Sequence, residues 1–178
     1  MPHYQMPHAN VLPYKGRRPR LADGVFIASG AQLIGDLEAG PESSFWFNVV
    51  ARGDVHHIRV GARTNIQDGS VLHVTSGRAP CLIGDDVTVG HAAIVHACTV
   101  EDLCLIGMGA IILDEALIRT GSIVGAGALV TQGKEFPPFS LIVGSPAKAV
   151  RTLTDAERQS LQDSARHYVE TAREYQQA

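Results

Sequence analysis

The sequence predicts an all-β solenoid, a parallel β-helix of hexapeptide repeats, followed by one C-terminal α-helix. Three observations predict it. Valine and isoleucine recur every six residues at Val100, Ile106, Ile112, Ile118, Val124 and Val130. The position four residues after each of the first five is small: Cys104, Ala110, Ala116, Ser122 and Ala128. No Phe, Trp or Tyr occurs from Asn48 to Glu135, although the stretch is rich in aliphatics and glycine. A core of ordinary thickness recruits aromatic rings because they bury the most area. This segment therefore encloses a narrow interior that aliphatic side chains fill. A six-residue period fits neither the helical 3.6 nor plain alternation. It fits a short strand plus a tight corner, with three units closing a triangular coil of about 18 residues.

The elements follow in chain order. Residues 1–24 read as an extended lead-in carrying Pro13 and Pro19, residues 25–150 as the β-helix, and residues 151–178 as the helical end of a single domain. A weaker block of the repeat runs Ile27, Leu33, Ala39, Phe45 and Ala51. The next runs Val60, Ile66 and Leu72, with Thr64 and Ser70 four residues on. A third runs Ile83, Val89 and Val95, followed by Val87, Ala93 and Thr99. The phase breaks three times. Three extra residues lie around Asp54 to His57, five lie within Thr75 to Pro80, and the interval from Val95 to Val100 is one short. Such breaks are where loops leave a stack, and loops carry function. Phe136-Pro137-Pro138-Phe139 reads as a stiff closing turn. Thr154-Asp155-Ala156-Glu157 is a capping box that starts a helix. Leu161, Ala165, Tyr168, Ala172 and Tyr175 then form one apolar stripe that lies along the solenoid or across a neighbouring subunit.

Composition narrows the function. The chain has 178 residues, with 15 Lys plus Arg against 18 Asp plus Glu, a formal charge of −3. That balance argues against a nucleic-acid partner. No apolar run is long enough to span a bilayer, so no membrane role is expected. Met1 to Asn10 holds no apolar h-region, so no signal peptide is expected either. Cys81, Cys98 and Cys104 form no CxxC and read as small buried hydrophobes in a reducing, cytoplasmic compartment.

The repeat phase assembles a candidate site. Rotating three faces puts the units opening at Ala51, Leu72 and Val95 on one face, with Arg52, His73 and His96 as their second residues. Side chains stacked in adjacent coils lie about 4.8 Å apart, close enough for two imidazoles to share a metal. His91 falls on a different face. In a trimer, one face of each chain meets a different face of the next, so a neighbour's His91 can complete a three-His site. Three histidines with one open position is the arrangement of a catalytic zinc, whose bound water ionises near pH 7. Arg52 and Asp54 can pair within the chain or across the interface. Gln67 lies on the His91 face and can orient a metal-bound hydroxide. Asp68 can support a histidine from behind. The alternative for each of the three histidines is a satisfied surface or corner residue, for Arg52 and Asp54 a simple structural ion pair, and for Gln67 and Asp68 a solvated corner; His56-His57 reads as an exposed part of the excursion rather than as a ligand pair.

Arg52-Gly53-Asp54, Asn65-Ile66-Gln67-Asp68-Gly69, Val71-Leu72-His73 and Gly90-His91-x4-His96 together resemble the gamma-class carbonic anhydrase family. Gly144-Ser145-Pro146-Ala147-Lys148 also fits but is shared with hexapeptide acyltransferases. The resemblance implies a left-handed β-helix, a homotrimer, and Zn2+ or Fe2+ at each interface; imidazole ligands also suit Co2+. It implies His73, His91 and His96 as metal ligands, Arg52 and Asp54 as the inter-subunit pair, and Gln67 and Asp68 as polar site residues. The implied reaction is reversible hydration of CO2 to bicarbonate. Two departures stand out. Val55 replaces a glutamate that follows the Arg-x-Asp motif in founding members, and the Thr75 to Pro80 loop lacks their acidic proton shuttle. Slow turnover is expected, with His56 or His57 as the replacement proton carriers near neutral pH. The competing readings are a metal-binding relative with another role, and a hexapeptide acyltransferase, which needs a general-base histidine but not this surplus of imidazoles.

Overall fold

The computed structural model describes residues 2–177. The lead-in is itself paired. Strands β1 (Tyr4–Gln5), β2 (Asn10–Leu12) and β3 (Arg20–Leu21) stack in parallel on the following coil, formed by β4 (Phe26–Ile27) and β5 (Gln32–Ala39). The next coil is β6 (Ser44–Phe45) and β7 (Val50–Val60). Three-stranded coils follow: β8 (Asn65–Ile66), β9 (Val71–His73), β10 (Cys81–Ile83), then β11 (Thr88–Val89), β12 (Ile94–His96), β13 (Thr99–Val100), then β14 (Leu105–Ile106), β15 (Ile111–Ile112), β16 (Leu117–Ile118). The stack ends with β17 (Ile123–Val124), β18 (Leu129–Val130), β19 (Ser140–Gly144) and β20 (Ala147–Thr152), before α1 (Asp155–Tyr175).

Three walls result. One carries β4, β6, β8, β11, β14, β17 and β19. A second carries β9, β12, β15 and β18, and a third carries β10, β13 and β16. The long strands β5 and β7 run through both the second and third walls, joining them into one sheet. The periodic aliphatics point inward: Ile106, Ile112, Ile118, Val124 and Val130 are fully buried, as are their small partners Ala110 and Ser122. Packing at this density makes each of them felt, and truncating Ile112 to alanine costs about 2–5 kcal/mol.

The phase breaks take different forms. The Thr75 to Pro80 insertion is a turn between β9 and β10, closed by a Thr75–Ala79 bridge. The Asp54 to His57 excursion does not leave as a loop. It stays inside β7 as a bulge, where Gly35 pairs with Gly53 and Leu37 already pairs with Ile58. The repeat pattern also stops short of the last hairpin. After the Pro137-Pro138 turn, β19 still pairs in parallel with β17, and β20 folds back on it antiparallel.

Aromatic rings absent from the long aliphatic stretch cluster outside the prism. Phe26, Trp46 and Phe47 on the first wall meet Tyr168 and Tyr175 of α1, with Trp46 and Tyr168 centroids 5.5 Å apart. The helix thus lies along its own solenoid. Its start is fixed by the Thr154 side chain, which accepts from Glu157 N–H, while Glu157 accepts from the Thr154 N–H.

Candidate metal centre

β9 and β12 place His73 and His96 directly opposite each other, because Leu72 pairs with Val95 on the inside and the next residue of each strand points out. His73 Nδ1 lies 3.1 Å from His96 Nε2. Each ring's other nitrogen meets a carboxylate: His73 Nε2 donates to Asp54 Oδ1 at 3.2 Å, and His96 Nδ1 donates to Asp114 Oδ1 at 2.6 Å. Asp54 is held in turn by Arg52 within the same chain, and Asp114 accepts from the Thr75 hydroxyl at 2.6 Å.

Charge follows from this arrangement. Burial alone raises the Asp54 carboxyl, but hydrogen bonds from Arg52 and His73 outweigh it and leave the group below the ordinary range. Asp114 is likewise lowered, Thr75 and His96 overcoming burial. Both carboxylates are therefore acceptors only, so both outer imidazole nitrogens carry the proton. The inner nitrogens of neutral rings then face each other as two lone pairs. A cation between them removes that repulsion; a proton does so less readily, because burial first and the Arg52 charge second lower the His73 pKa. In a tetrahedral zinc site, bonds of 2.0–2.1 Å set ligand nitrogens about 3.3 Å apart. The donor set therefore fits a divalent metal, with a carboxylate behind each ligand.

His91 lies elsewhere. It occupies the corner after β11, stacked on Asp68, and its Nδ1 lies 2.8 Å from Asp68 Oδ2. It faces a groove of about 470 Å³ whose lining includes Gln67, Leu105, Met108, Ser164 and Tyr168. Tyr168 titrates above its ordinary value, through burial and then the Asp68 charge. Among the described residues, no three His, Cys, Asp or Glu side chains of one chain converge as a metal site. His73, His96, Arg52 and Asp54 are thus brought together, whereas His91, Gln67 and Asp68 form a second group. His56 and His57 sit on the β7 bulge with centroids 4.6 Å apart, and His56 shares a cleft with Tyr14, Arg17, Asp36 and Asp54. The three cysteines are buried and unpaired as disulfides. Asp114 escaped the sequence reading, although an acid 18 residues after His96, one coil on, was a usable signal.

No protein-family model matches the chain. It is 47% identical over 165 residues to a carbonic anhydrase of Geobacillus kaustophilus, covering 93% of this chain and 90% of that one. It is 43% identical over 170 residues to the mitochondrial gamma carbonic anhydrase 2 of Arabidopsis thaliana, covering 93% of this chain. The chain spans only about three fifths (61%) of that plant relative's length. A solved Bacillus cereus structure, provisionally described as an acetyltransferase, superposes with a TM-score of 0.92 at 46% identity, covering 94% of this chain and 97% of that one. Among the described residues, no helix is long and apolar enough to cross a membrane.

Proposed function

The chain belongs to the gamma carbonic anhydrase family, and from that premise we propose that it catalyses the reversible hydration of CO2 to bicarbonate at a divalent metal shared between subunits of a homotrimer. The observation that carries this reading is the pair of imidazoles whose inner nitrogens face each other at 3.1 Å while their outer nitrogens are held by Asp54 and Asp114. His73 and His96 of one chain would hold the ion, with His91 of the next chain as third ligand. Zn2+ suits this set best; imidazole also accepts Fe2+ and Co2+. A metal of this kind lowers the pKa of water enough to supply a nucleophile near neutral pH.

The remaining residues position and exclude. Asp54, Asp114 and Asp68 fix the ring planes and tautomers of His73, His96 and His91. Arg52 keeps Asp54 ionised. Gln67, 5% exposed, offers one amide edge to the groove beside His91.

A trimer is supported by an apolar ladder that the single chain covers only in part. Val50, Val71, Ile94, Ile111 and Leu129 stack in register on the outside of the second wall, in the same direction as His73 and His96. Met108, 59% exposed, stands beside Leu105 and Ile123 on the first wall. An apolar ladder of this length marks an interaction surface, and pairing the first wall with a neighbour's second wall brings His91 toward the two other imidazoles.

The test is stopped-flow CO2 hydration on anaerobically purified protein, with metal analysis and native mass on the same sample. A trimer with about one metal per chain and hydration above background is expected. Stoichiometric metal without hydration would assign the site another activity. The acetyltransferase description of the Bacillus cereus structure supports a second reading, and turnover of acetyl coenzyme A without hydration would favour it.

A further inference from the structure

A chain of buried hydrogen bonds runs from the candidate site to the C-terminal helix. Gln67 Nε2 donates to Asn65 Oδ1 at 3.1 Å, Asn65 Nδ2 donates to Thr88 Oγ1 at 3.0 Å, and Thr88 Oγ1 lies 3.0 Å from Ser164 Oγ. Asn65, Gln67 and Thr88 are 1%, 5% and 4% exposed, so the groups joined in this chain depend on one another as partners. The direction of the chain is set by the backbone. Asn65 Nδ2 also lies 3.4 Å from the Val87 carbonyl, which can only accept. The Asn65 amide nitrogen must therefore face Val87 and Thr88, leaving its oxygen to accept from Gln67.

We infer that Thr88 and Ser164 are positioning residues that fix the Gln67 side-chain amide with its nitrogen turned inward and its oxygen turned to the groove beside His91. Gln67 then presents its amide oxygen as the acceptor at the site, with one amide N–H committed to Asn65. The helix becomes part of the site through one hydroxyl, because Ser164 is the contact that gives the Thr88 hydroxyl its second partner. This rests on the proposed function only in assigning the groove beside His91 to the reaction; the orientation of the amide stands on the bonds themselves.

The test compares Thr88→Val, Thr88→Ser and Ser164→Ala in the full-length protein. Hydrogen exchange of the Gln67 and Asn65 side-chain NH2 groups is followed by NMR, and CO2 hydration is measured at matched metal content. Slow exchange is expected in the parent, exchange about tenfold faster in Thr88→Val, and restoration in Thr88→Ser, the loss of one buried hydrogen bond setting the scale. Ser164→Ala, which leaves the solenoid interior untouched, gives a smaller change in the same direction. The hydration kcat falls with Thr88→Val and returns with Thr88→Ser. Unchanged Gln67 exchange in both Thr88→Val and Ser164→Ala overturns the inference; should Thr88→Val fail to fold, unchanged exchange in Ser164→Ala alone overturns it. Altered exchange in a protein with no hydration activity upholds the relay and rejects the function proposed above.

Discussion

His73 and His96 occupy equivalent positions in successive coils, and their nearest ring nitrogens are 3.1 Å apart while each opposite nitrogen is tied to an aspartate. The parallel register alone sets the spacing of the strands. The carboxylates turn the rings so that two acceptor atoms converge.

If His91 completes the site across an interface, His91→Ala loses the metal while keeping the fold, since its side chain is 46% exposed in the single chain. Elemental analysis and circular dichroism check the two halves of that statement. Mixing His91→Ala chains with His96→Ala chains restores metal at roughly a quarter of the interfaces, half times half, because an intact pair then meets an intact His91. No recovery on mixing would place all three ligands in one chain or remove His91 from the set.

Asp114→Asn weakens metal binding by roughly 10–100-fold, the usual effect of losing a carboxylate behind a histidine ligand. Competition with a chromogenic chelator measures it. Thr75→Val, which removes the hydroxyl bonded to Asp114, acts in the same direction with a smaller effect.

His56 and His57 line the bulge next to Asp54, and His57 titrates below its ordinary value because of burial, then the charges of Arg59 and His56. A His56→Ala/His57→Ala double variant hydrates CO2 at least about tenfold more slowly than the parent in weak buffer, and equally fast in concentrated imidazole. Equal rates in weak buffer would assign proton export to another route.

Glu157 closes the helix capping box, and the Arg151 side chain, followed by the Thr154 backbone N–H, holds its carboxyl at about 2. A folded value depressed below the ordinary glutamate value of about 4.3 stabilises α1 fully above that pH. The contribution fades as pH falls from there through about 2. Acid titration followed by the helical signal shows the loss, and Glu157→Gln removes that portion of the pH dependence. Thr154→Ala costs about 1 kcal/mol at neutral pH.

Gly109 and Gly121 share a φ of +65° at corners, but only one is crowded. Gly109→Ala meets open space and costs about 1 kcal/mol from the left-handed backbone. Gly121→Ala costs more, since its Cβ would lie 2.5 Å from the Phe139 ring. Thermal denaturation of the two variants separates the backbone cost from the steric one.

The six-residue period made the core legible. Ile106, Ile112, Ile118 and Val124 could be assigned inward from spacing alone, because a coil of fixed length returns each residue type to one wall. The same phase placed His73 beside His96, and the capping box and apolar stripe marked α1. The bulge at Asp54 to His57 and the hairpin of β19 and β20 were not legible in this way, since neither keeps the period.

The sequence by itself determined the solenoid, its narrow aliphatic interior and the residues that stack along each wall, because local repeat length dictates which side chains share a face. Only the tertiary structure decided which partners those side chains take. Asp114 behind His96, Asp68 on His91, and the Thr88 link from Gln67 to Ser164 join different coils or the solenoid to the helix. Hydrogen-bond geometry of this kind depends on rotamers and on where α1 docks, and neither leaves a period in the chain.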